Sequence, residues 1–173
     1  MLSNSSPPTD QQWNSSVHDL NPVLTIEGLL QFLAESFPQI RFGDANSPLV
    51  EPVDIEIISI SSKRCKVRLP FHSRNLRPGG TISGPAMFTL ADVGIYLVIL
   101  AHIGPVGLAV TTNMNINFLN RPEPQALLAD CEILKLGKRL AIGEARLYGE
   151  TDGVLVAQAS GTYSIPPKPM NPR

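Results

Sequence analysis

Apolar positions along the chain switch between a helical and a strand-like spacing. In TIEGLLQFLAESFPQI, Ile26, Leu29, Leu30 and Leu33 recur at helical intervals. Thr25 stands where an N-cap is expected and Pro38 ends the run, so the segment predicts a short amphipathic helix. Next come VEPVDIEIISI and KRCKVRLPF, joined by Ser61 and Ser62. In the second, Cys65, Val67 and Leu69 alternate with Arg64, Lys66 and Arg68, the period of a half-buried strand, and the two segments predict a hairpin. A loop, HSRNLRPGGT, leads into a long apolar helix from about Gly84 to His102. Strand spacing then returns. In LAVTTNMNINFLN one face carries Thr112, Met114, Ile116 and Phe118, and the other Asn113, Asn115 and Asn117. ALLADCEILKL sets Cys131 and Ile133 against Asp130 and Glu132; GKR turns the chain into LAIGEARLYGE, and TDG turns it into VLVAQASGTYSI. No segment repeats another.

This order is helix, two strands, long helix, four strands. A helix apolar nearly all round must be buried, and one of roughly 19 residues spans about 28 Å. Only a long, strongly curved antiparallel sheet covers it, which gives an α+β fold with the sheet wrapped around one central helix. The domain is expected over 23–166. The Ser-, Pro-, Asn- and Gln-rich stretch 1–22 and the Pro-rich stretch 167–173 are expected to be flexible tails.

Composition narrows the classes of function. The formal charge of -1 provides no basic field for a phosphate backbone, which argues against nucleic acid. Charged residues are 17% of the chain, below the roughly 25% of ordinary domains, and this hints that other subunits cover part of the surface. Cys65 and Cys131 fall at apolar positions and read as small buried hydrophobes. With three scattered histidines and no paired cysteines, no metal-ligand spacing exists. The segment GPAMFTLADVGIYLVILAHIGPVGLAV is apolar enough to raise a membrane span. Asp92 near its centre, and Pro85, Gly104, Pro105 and Gly107 along it, argue against that reading. The first residues lack a charged and then apolar leader, so a cytoplasmic protein is expected.

The chemistry starts from GGTISGPAMFTLADVGIYLVIL, where Asp92 is the sole charge. An unpartnered buried carboxylate costs several kcal/mol, so a chain keeps one either hydrogen-bonded to backbone or to a dimer neighbour, or working as a general base. Pro85, Thr89, Asp92 and Tyr96 fall near one helix face. Gly84 begins the helix, where its free N–H points out along the dipole and suits a developing oxyanion. Ser83 suits an N-cap, or a hydroxyl that meets substrate or water; GTISG is out of register with a nucleophile elbow.

RPGGTISGPAMFTLAD, followed by AVTTNMNINFL and then LKLGKRLA and GVLVAQASGTY, resembles the PaaI-like hotdog acyl-CoA thioesterases over residues 50–165. Gly79, Gly80, Thr81, Gly84, Leu90, Ala91 and Asp92 match the family pattern by spacing. The chain departs from it at Ser83, where the family has histidine, at Pro85 for its second glycine, and at Arg77 for its upstream asparagine, with Asn75 two residues away. The resemblance implies a hotdog fold and hydrolysis of acyl-CoA. Asp92 would be the general base or nucleophile, and the Gly84 N–H would polarise the carbonyl. Thr111 would orient the attacking water. Arg77, Asn75 and Pro85 would border the substrate, and Lys138 and Arg139 would hold CoA. It further implies no cofactor beyond the CoA of the substrate, and a homodimer, or a dimer of dimers, with each site shared between two chains. The changed motif also motivates a second expectation, a non-catalytic acyl-CoA-binding hotdog protein.

Overall fold

A computed structural model describes residues 20–39, 41–44 and 54–167. Most of the two expected tails therefore lies outside the described residues. The elements are α1 (Ile26–Ser36), β1 (Phe42–Asp44), β2 (Ile55–Ser61), β3 (Arg64–Leu69), a 3-10 turn (Ser73–Asn75), α2 (Gly84–Ile103), β4 (Val110–Phe118), β5 (Leu127–Leu136), β6 (Leu140–Gly149) and β7 (Leu155–Ser164). Each patterned segment forms the element it predicts. Beyond them stand β1, too short to show a period, and the 3-10 turn.

The strands make one seven-stranded sheet in the order β1-β2-β3-β5-β6-β7-β4. Neighbours run antiparallel except β1 beside β2. The sheet curls around α2, as the apolar helix requires. By length and composition α2 is apolar enough to cross a membrane. Here Leu90, Ile95, Leu97, Val98, Ile99 and Leu100 are fully covered within the fold. The inner faces of β5, β6 and β7 allow this close approach, because most of their inward positions are small: Ala129 and Cys131, Ala141, Gly143 and Ala145, Ala157, Ala159 and Gly161.

Both ends of α2 are fastened by side chains. At the start, the Ser83 hydroxyl accepts from the Ala86 N–H at 3.3 Å, capping the first turn. At the other end buried His102 accepts the Lys63 N–H on Nε2 at 2.9 Å and lies 2.6 Å from the Val98 carbonyl through Nδ1. With Nε2 accepting, Nδ1 carries the proton that Val98 receives. His102 thus pins the β2–β3 turn to the helix. The Ala101 carbonyl accepts the Val23 and Leu24 N–H groups, seating α1 against α2. Thr25 caps α1 through the Gly28 N–H, and Leu29 and Leu33 bury its apolar stripe.

The cysteines are buried and free, as their pattern predicts. They face each other across β3 and β5. Burial pushes the Cys65 thiol up to about 12 and raises Cys131 as well, so neither is a nucleophile near neutral pH.

Candidate active site

Asp92 emerges half-buried from the middle of α2. Its Oδ1 accepts two hydroxyls, Thr111 Oγ1 from β4 at 2.8 Å and Tyr163 OH from β7 at 2.5 Å. Tyr163 OH also lies 2.8 Å from the Asp92 carbonyl oxygen. The other oxygen, Oδ2, has no partner among the described residues. Asp92 is therefore held through one oxygen by side-chain hydroxyls of its own chain, where backbone or a dimer neighbour was expected, and is open through the other.

Thr111 reaches Asp92 because β4 bulges. Thr111 pairs with Tyr163 and Asn113 pairs with Thr162, so Thr112 is the extra residue. A bulge shifts the alternation by one. Thr111 joins Met114 and Ile116 on the inner face, and the Thr112 hydroxyl is spent on the Thr162 carbonyl. Unbroken alternation had set Thr112 on one face with Met114, Ile116 and Phe118, and the bulge corrects that assignment.

Asp92 lies in the wall of a cavity of about 280 Å³ whose other lining is mainly apolar: Phe37, Phe42, Val93, Tyr96 and Val110, with Gly107, Ala109 and Thr111. Phe37 comes from the end of α1 and stands edge-on to Tyr96, 5.9 Å between ring centres. Tyr96 in turn stacks on Tyr163 at 6.5 Å. Of the helix face read from the sequence, Asp92 and Tyr96 share this cavity, while Pro85 and Thr89 are exposed and do not line it. Burial drives Tyr163 well above the ordinary phenol range, and the Asp92 carboxylate adds to the effect, so Tyr163 stays a protonated donor.

Gly84 opens elsewhere. Its N–H at the first position of α2 has no acceptor among the described residues. It borders a second cavity, of about 450 Å³, with Arg77, Thr81, Ile82, Met87, Phe118 and Arg121. Arg77 is anchored there by its Nε–H to the Thr81 hydroxyl at 3.0 Å. Asn75 contributes its carbonyl, which accepts the Ser83 N–H. Lys138 rims a third cavity of about 690 Å³ at the end of α2. That cavity shares Gly107 with the Asp92 cavity. Arg139 lines none of the three.

Asp92 follows Gly84 by eight residues, roughly 12 Å along the axis and about 80° around it. One carbonyl group cannot meet both within a single chain. Sequence reasoning missed Tyr163, Phe37 and Phe42. Tyr163 had a signal: it is the one large polar side chain on an inward face otherwise made of alanine and glycine.

A curved sheet around one long helix is the fold of the hotdog thioesterases, and the hydroxyl-held carboxylate lies at an apolar cavity within it. The sequence pattern described as Thioesterase superfamily matches residues 79–156. A candidate thioesterase of Silicibacter sp. TM1040, solved by crystallography, is 40% identical and covers 87% of this chain and 97% of its own, with TM-score 0.73. A candidate esterase of Pseudomonas aeruginosa is 32% identical over 108 residues, 61% of this chain and 78% of the relative. A hypothetical thioesterase of Streptococcus pneumoniae, solved with coenzyme A, is 21% identical and covers 66% of this chain and 87% of its own, with TM-score 0.59. The chain belongs to the thioesterase superfamily.

Proposed function

We propose that the protein hydrolyses acyl-CoA thioesters to the free acid and CoA, at sites shared by two copies of the chain. The observation that carries this reading is the Asp92 carboxylate, held through Oδ1 and open through Oδ2 at the wall of an apolar cavity. Water bound to Oδ2 gives up a proton as its oxygen attacks the thioester carbonyl carbon. The tetrahedral oxygen gathers charge and is met by the Gly84 N–H of the second copy, a contact of about 3–4 kcal/mol in other enzymes. Collapse breaks the C–S bond, and the proton held by Asp92 returns to the departing thiolate. Attack by Asp92 itself gives the same products through an anhydride, and Asp92 is then the nucleophile. Ser83 fits neither role well, since its hydroxyl caps α2.

Two observations support a shared site. Gly84 and Asp92 open into separate cavities. Among the described residues β4 is the sheet edge, pairing with β7 alone, and near it Leu108, Val110, Phe118 and Leu119 are exposed. An unpaired edge with apolar flanks suits a second strand of its own kind, and a two-fold pair creates two equal sites. The face with Asn113, Asn115 and Asn117 is then left for a further pairing of dimers.

CoA fits what surrounds the reacting groups. Arg77 borders the Gly84 cavity, and Lys138 rims the cavity that shares Gly107 with the Asp92 cavity, the kind of donors phosphates require. Pro85 and Arg139 are exposed and come into reach only of a ligand or partner laid over the surface. The acyl group takes the Asp92 cavity. A 150 Å³ cavity accepts benzene, so 280 Å³ suits an acyl group of about eight to ten carbons, aryl groups included.

The test is free-thiol release from a panel of acyl-CoAs from acetyl to palmitoyl, with phenylacetyl included. Turnover that peaks at medium or aryl groups is the expected result. Binding of acyl-CoA with no thiol released from any member contradicts hydrolysis and leaves the binding-protein alternative.

A further inference from the structure

We infer that Tyr163 is a positioning residue for the reaction, fixing Asp92 through Oδ1 so that Oδ2 alone faces substrate and water. This rests on the reading of Asp92 as the base. Tyr163 lies outside the span matched by the superfamily pattern.

The geometry is that of a charge-assisted bond. At 2.5 Å, Tyr163 OH to Asp92 Oδ1 falls in the range for O–H donors on carboxylates. Among the described residues the cavity lining contains no lysine, arginine or histidine, and the donors to the carboxylate there are hydroxyls. Thr111 supplies one from the exposed edge strand and Tyr163 the other from within the sheet. The titratable groups around this pair are Tyr96, on the same helix and stacked on Tyr163, and the Cys131 thiol of β5 behind it. Both are held protonated by burial.

Tyr163 cannot itself be the base or acid. Its ring is buried at 1% exposure and does not line the cavity, and its phenol keeps its proton throughout the neutral range. It acts through Asp92. Its ring also completes a line of aromatic contacts, Phe37 to Tyr96 to Tyr163, running from the acyl cavity to the carboxylate. A group seated against Phe37 and Tyr96 therefore presses on the support of the base.

Tyr163→Phe removes the hydroxyl and keeps the ring. The expected result is kcat lower by about ten- to a hundredfold, with KM within about twofold. Because Tyr163 acts through Asp92, adding Tyr163→Phe to Asp92→Asn is expected to lower kcat no further than Asp92→Asn alone. A folded Phe variant with unchanged kcat overturns the inference, and so does a folded double variant in which the two losses multiply. If wild type releases no thiol from any acyl-CoA, the functional reading has failed. The Tyr163 contact is then decided by proton NMR: a hydroxyl resonance far downfield of the amides in wild type, lost in Tyr163→Phe, upholds it, and the absence of that resonance in wild type overturns it.

Discussion

Asp92→Asn is expected to leave the fold intact and to lower kcat by about 10²–10⁴-fold. The amide has the shape of the carboxylate, and its oxygen can still accept the Thr111 and Tyr163 hydroxyls that now meet Oδ1. What it lacks is an oxygen that takes a proton from water. The same loss is predicted whether Asp92 acts as base or nucleophile, because an amide does neither. The fold should tolerate the change, since Asp92 is half-buried at a cavity wall and forms no ion pair among the described residues. Steady-state thiol release, read beside a thermal melt, checks this. Activity retained within a few-fold in the folded variant contradicts a working role for Asp92.

Gly143→Val is expected to act on stability instead, by about 2–3 kcal/mol, or roughly 5–10 °C in the melting midpoint. Gly143 lies on the inner face of β6, directly under α2. A Cβ added there would sit 2.7 Å from Ile95 Cγ2 and 3.2 Å from the Glu132 carbonyl oxygen. Neither neighbour yields easily: Ile95 is β-branched on the core helix, and Glu132 contributes backbone of β5. The helix must lift from the floor of alanines and glycines on which it rests, loosening the packing of Leu97 and Val98. Valine's preference for strands does not offset this, because that preference measures fit to a surface with room above it. A melt unchanged from wild type would show that the helix–sheet distance is not set by these small residues.

Much of the architecture was legible because it depends on burial. A helix without a polar face has to be enclosed, and Leu90 to Leu100 are covered as that requires. Alternation marked the strands wherever one face met the core, as in Cys65, Val67 and Leu69. The lone charge in the core helix singled out Asp92. What stayed hidden depends on geometry that spacing does not encode. The bulge at Thr112 re-aims Thr111 and leaves no mark in composition. β1 is three residues long and is held by pairing with β2 rather than by its own pattern. Phe37 and Phe42 meet Asp92 only after the chain has closed. The separation of Gly84 and Asp92 follows from helix rise and twist, yet it took the fold to place them at two different cavities.

That shared site is the central claim, and mixed dimers test it most directly. Asp92→Asn lacks the base. Gly84→Pro lacks the donor, at a first-turn position that accepts proline after the extended Ser83. Each is expected to be inactive alone. Mixed and allowed to exchange subunits, half of the dimers pair one variant with the other, and each of these carries one intact site of two. Recovery of about a quarter of wild-type activity is the predicted result. A mixture as inactive as its components, with mixed dimers demonstrably formed, would contradict it.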